Sequence, residues 1–150
     1  MQPLKIIASV LALLIALAGI YQGFVALRQN AQLASGEQFS RSVAEMIVTT
    51  WNPEYFIANS SRQLLANLDA RGIQLKLNGA RRVGELQSMG EARGELINPS
   101  WLPGGDSLVA RYYITAEFSG GPGEIYTELV DEDGAWKLLN FYIQSPQLVE

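Results

Sequence analysis

The chain has 150 residues, 48% of them apolar, and a net charge of −4, which is room for one domain with a core of its own. It contains neither His nor Cys, and this excludes Ser-His-Asp and Cys-His catalysis, an acylated-Cys anchor, and zinc or haem sites of the usual ligand sets. Its acidic balance makes nucleic acid a poor partner.

The segment from Ile6 to Leu27, IIASVLALLIALAGIYQGFVAL, carries no charge and is long enough as a helix to cross a hydrocarbon core of about 30 Å. It predicts a membrane anchor over residues 1–29, with residues 6–27 in the bilayer. A cleaved signal peptide is the rival reading, because Ala16-Leu17-Ala18 resembles a small-x-small site. Against it, the apolar character continues through Ile20, Tyr21, Phe24, Val25 and Leu27. Lys5 and the amino terminus precede the span and Arg28 follows it, so the N-terminus is expected in the cytoplasm and the rest outside it, in the periplasm of a Gram-negative cell. Beyond Arg28, nine basic residues stand against fifteen acidic ones.

Residues 30–37 read as a polar connector with Ser35-Gly36 as its point of flexibility. A domain is expected over residues 38–146, followed by a tail, 147–150. Phe39, Val43, Met46, Ile47 and Trp51 recur at spacings of three and four, the stripe of an amphipathic helix. Asn52-Pro53-Glu54 supplies a cap, a first-turn Pro and a first-turn acid for a second helix through Ile57. Residues 61–70 read as helix. Residues 73–83 are also assigned to helix, although Ile73, Leu75 and Leu77 alternate as in a strand.

From Glu85 the period becomes two. Leu86–Met89 and Ala92–Ile97 form one interrupted strand, and Pro99 to Gly105 form a loop. Three strands come next, over 107–118, 124–130 and 135–143, joined by Ser119–Gly123 and Asp131–Gly134 as antiparallel hairpins. Helices first and antiparallel strands afterwards define an α+β class: an N-terminal transmembrane helix, then two to three helices packed on a curved sheet of about four strands.

That order, with RVGELQSMGEARG at 82–94, YITAEF, and the closing ELVDEDGAWKLLNFYI, resembles the nuclear transport factor 2-like superfamily, the cystatin-like cone fold. The resemblance covers roughly residues 38–145, and the segments are similar to those of small membrane-anchored or secreted bacterial members of unknown function. It implies helices over one face of a cone-shaped sheet and says little of activity, because the fold hosts enzymes, transport factors and scaffolds alike.

Function must come from sites. Arg81-Arg82 lacks the Gly-rich loop of a phosphate site. Asp131, Glu132 and Asp133 supply too few oxygens for calcium and suffice as a D-x-D-G turn. Glu117 and Glu128 sit among polar neighbours or beside a turn, unlike a carboxylate tuned for acid–base work. No catalytic residue, cofactor or metal is therefore expected, and the chain reads as a non-enzymatic binding domain.

On the strand 107–118, Leu108, Ala110, Tyr112, Ile114, Ala116 and Phe118 share the core face. Tyr112, Ile114, Trp136 and Leu138 would line the cone interior, the site of a small apolar ligand in the alternative reading. The last strand places Trp136, Leu138 and Tyr142 on one face and Leu139, Phe141 and Ile143 on the other, by alternation. A strand apolar on both faces needs a second cover, so Leu139, Phe141 and Ile143 are the candidate contact for a protein partner or a second copy.

Overall fold

The computed structural model describes residues 2–97 and 107–149, with side chains from Ile6 onward. The chain is α+β: a long apolar N-terminal helix, then short helices and a four-stranded antiparallel open sheet in the order β1-β2-β3-β4. It divides into two units, Met1–Gln32 and Leu33–Glu150. The expected loop at 99–105 lies outside the described residues.

Helix α1, Gln2–Thr50, runs through both units. Within the first, every side chain from Ile6 to Phe24 is exposed, and this stretch is long and apolar enough to cross a membrane. Ser35-Gly36 lies in unbroken helix and is no bend. From Gly36 onward the inward-facing residues are Ser40, Val43, Ala44, Ile47 and Val48, all buried, at the spacing of an amphipathic helix. Met46, expected on that stripe, is 44% exposed. The helix stops at Trp51, a non-glycine residue with φ +50, whose N–H still donates to the Ile47 carbonyl at 2.7 Å.

Helix α2, Pro53–Asn59, starts as its sequence dictates, with the Asn52 side chain accepting from the Glu54 and Tyr55 amides. The stretch expected as one helix over 61–70 is broken. Helix α3, Arg62–Asn67, is capped by Ser61, and helix α4, Ala70–Ala80, by Asp69. Each cap satisfies amides that a helix start leaves open. The alternation at 73–77 is therefore helical: Ile73 and Leu77 are buried one turn apart while Leu75 is 63% exposed. A 3₁₀ turn, Arg81–Val83, completes the segment.

Strand β1, Leu86–Leu96, is interrupted as expected, with register shifts between Leu86 and Ser88 and between Met89 and Ala92. Strands β2, Val109–Phe118, and β3, Gly121–Glu132, pair antiparallel without a shift. Their turn is Ser119-Gly120, shorter than the segment expected. Strand β3 joins β4, Ala135–Gln144, through Asp133-Gly134. Both turn residues have positive φ, +56 and +84, the backbone that a two-residue hairpin with native twist requires.

The core lies between the helices and the inner sheet face, where Val43, Ile47, Phe56, Ile73 and Leu77 meet Tyr112, Ile114, Phe118, Ile125, Leu129, Leu138 and Phe141. The alternation expected of the last strand fails at one point. Glu128 pairs with Asn140 but Leu129 pairs with Leu138, so Leu139 is an extra residue in β4. Such a bulge inverts the phase of the strand beyond it. Phe141 and Ile143 accordingly join Leu138 in the core, at 1% and 7% exposure, and Tyr142 goes to the other face with Leu139.

Candidate functional site

Of the four residues expected to line a cone interior, Tyr112, Ile114 and Leu138 are fully buried, and Trp136 packs partly buried against them. The structure brings them to one side of the sheet, but as packing. The Tyr112 hydroxyl donates to the Leu33 carbonyl at 2.7 Å and the Trp136 indole N–H to Ser35 Oγ at 2.8 Å. Burial, and secondarily the negative charge of Glu37, push the Tyr112 hydroxyl up to about 12. A buried hydroxyl pair, Ser40 Oγ and Thr127 Oγ1 at 2.6 Å, joins α1 to β3.

The three expected contact residues are separated. Phe141 and Ile143 belong to the core, and only Leu139 stands at the outer face, half-buried beside the bulge. The acidic turn is also taken up within the chain. Asp131 accepts from the Gly134 amide at 2.8 Å, and Arg62 reaches Glu132 at 3.3 Å and Asp133 at 3.0 Å. Among the described residues no group of three or more carboxylates is placed to hold a metal ion.

The outer sheet face carries a row of aromatic rings. Arg93, Tyr113, Tyr126 and Tyr142 are successive cross-strand neighbours on β1, β2, β3 and β4. Tyr126 stacks on Tyr142 with centroids 4.4 Å apart, Tyr113 leans on Tyr126 at 5.1 Å, and the Arg93 guanidinium lies 5.5 Å from the Tyr113 ring. Such pairs stabilise beyond the area they bury.

Charged groups flank the row on both sides. Arg93 pairs with Glu124 at 2.9 Å. On the other side, Tyr126 donates to Glu128 at 2.7 Å, and Arg111 lies 3.8 Å from both Glu128 and Glu95. Burial, with the hydrogen bond to Glu128, holds the Tyr126 hydroxyl protonated well above its ordinary range. Tyr113 and Tyr142 remain half-buried, and the helices give their buried residues to the opposite face.

The chain matches no known protein family, no curated protein and no solved structure. The signal for the tyrosine row was present in the sequence: a two-residue turn at Ser119-Gly120 sets Tyr113 opposite Tyr126. The Tyr126–Tyr142 pairing is harder to read, because it depends on the extra residue at Leu139.

Proposed function

We propose that this chain is a membrane-tethered, non-enzymatic binding domain outside the cytoplasm, a nuclear transport factor 2-like domain serving as an accessory or assembly subunit of an envelope complex or as a self-associating scaffold. The observation that carries the reading is the tyrosine row. Three adjoining aromatic rings, of which Tyr126 and Tyr142 are stacked, cross the sheet face opposite the one that the helices cover, and their partly exposed ends, Tyr113 and Tyr142, offer rigid apolar area at low entropic cost. Leu139 extends this surface along β4.

Tethering is supported by the uncharged run from Ile6 to Leu27 and by the exposure of its side chains. Charge placement supports a cytoplasmic N-terminus. Confinement to one membrane plane raises the effective concentration of any partner in that membrane. The absence of His and Cys supports binding over catalysis.

The test is extraction followed by co-purification. The chain is expected to resist alkaline extraction of membranes, to be cut by protease from the outer side only, and to leave mild detergent as a dimer or with a stoichiometric partner. Replacing Tyr113 and Tyr142 together by Glu is expected to release that association while leaving the circular dichroism spectrum unchanged. A chain that elutes alone and monomeric refutes the reading.

A further inference from the structure

A cavity of about 510 Å³ opens beside the end of α1 and the β2–β3 turn, a size within the range of small-ligand sites. Val48, Thr49 and Trp51 from the end of α1 form one wall, Arg81 and Gly84 a second, and Glu85, Leu86 and Ser119 the third.

Two features set this cavity apart from a surface dent. Trp51 holds φ +50 at a helix end, a place where glycine is usual and a large side chain is unfavourable. The indole there is partly buried against the core and also lines the cavity. The opposite rim is also fixed. Glu85 donates its amide to Ser119 Oγ at 2.9 Å, Ser119 returns its amide to the Glu85 carbonyl at 2.7 Å, and the Gly120 amide reaches the Val83 carbonyl at 3.1 Å. Gly84, at φ +94, leaves no space for a β-carbon beside Ser119.

Within this frame two opposite charges stand without partners. The Arg81 guanidinium and the Glu85 carboxylate are exposed and make no side-chain hydrogen bond or ion pair among the described residues. Thr49 and Ser119 add hydroxyls. The site thus offers a half-buried indole beside Val48 and Leu86, rimmed by a strong donor, a strong acceptor and no net charge.

We propose that this cavity binds an uncharged saccharide. A sugar ring presents an apolar C–H face that lies on an indole, and a rim of hydroxyls that both donate and accept, so Arg81 and Glu85 can be satisfied by one neutral ligand. A simple anion would leave Glu85 opposed to it, and a simple cation would leave Arg81 so. This site is independent of the sheet face and of any partner bound there.

The experiment is calorimetric titration of the full chain, held in an amine-oxide detergent that carries no sugar headgroup. The probes are N-acetylglucosamine tetramer, cellotetraose and maltotetraose, with glycine and glutamate as zwitterionic controls. At least one oligosaccharide is expected to bind with Kd below about 1 mM. Arg81→Ala and Glu85→Gln are each expected to weaken it about tenfold, the loss of one charge-assisted hydrogen bond. Both side chains are exposed and unpartnered, so unchanged melting curves separate lost binding from lost folding. In a fluorotryptophan-labelled chain, the fluorine resonance absent from Trp51→Phe is expected to shift on binding. The proposal is overturned if no oligosaccharide binds below about 10 mM, if binding survives both substitutions, or if a zwitterion binds instead.

Discussion

The Tyr112 ring closes over Gly36. A methyl group at position 36 would collide with the phenolic oxygen, and one at Gly94 on β1 would collide with the other edge of the same ring. The tyrosine is thus pinched between a helix and a neighbouring strand, with its hydroxyl bound to Leu33. Gly36→Ala is expected to destabilise the domain by about 1–3 kcal/mol through overpacking. Removing the hydroxyl relieves the worst contact, so Gly36→Ala combined with Tyr112→Phe is expected to cost less than the sum of the two single changes. Urea unfolding of the four chains in detergent measures the coupling, and strict additivity would refute the pinch.

The Ser40–Thr127 pair is a buried hydrogen bond between side chains of helix and sheet. Ser40→Ala leaves the Thr127 hydroxyl buried without its partner, at a cost of about 1–3 kcal/mol. Ser40→Ala with Thr127→Val removes both polar groups and is expected to recover most of that loss. Thermal melts read the difference directly.

Stability of the domain is expected to fall as the pH rises above about 10. The Tyr112 hydroxyl is held at about 12 in the folded chain and titrates near its ordinary value of about 10 when unfolded. The unfolded state then binds fewer protons between those values, so stability falls as pH rises. The contribution is intact below about pH 10 and is lost progressively toward pH 12. Tyr126, shifted in the same direction, adds to the slope. Denaturant midpoints between pH 8 and 11.5, with Tyr112→Phe flattening the curve, are the check.

At the β3–β4 turn the backbone matters more than the charges. Gly134 has φ +84, and Gly134→Ala is expected to cost about 1 kcal/mol. Arg62 and Asp133 are 75% and 83% exposed on their side chains, so Asp133→Asn should change stability by less than about 0.5 kcal/mol. Two melting curves distinguish these effects.

Much of the fold was legible because short-range signals and the core agreed. The Asn52-Pro53 start of α2, the alternation of β2 and the Asp133-Gly134 hairpin each state a local preference that packing reinforces. Three features could not be read locally. Gly36 resembles a flexible joint until its partner, Tyr112, is known to lie against it. Leu75 continues an apparent strand pattern until the helix turns it to solvent. The extra residue at Leu139 carries no compositional mark, yet it moves Phe141 and Ile143 into the core and Tyr142 out to the row. The candidate surface was missed for that last reason: one residue of register separates a contact face from a core.

The pinch at Tyr112 also bears on how the chain is made. It ties Leu33 to a residue 79 positions later, and synthesis delivers α1 long before β2 exists. Until residue 112 emerges, the inward stripe of α1 from Ser40 to Val48 has no sheet to cover it. Such a nascent chain presents a hydrophobic helix face to its surroundings while the residues between α1 and β2 are made, and the arrival of β2 is what first gives that face its cover.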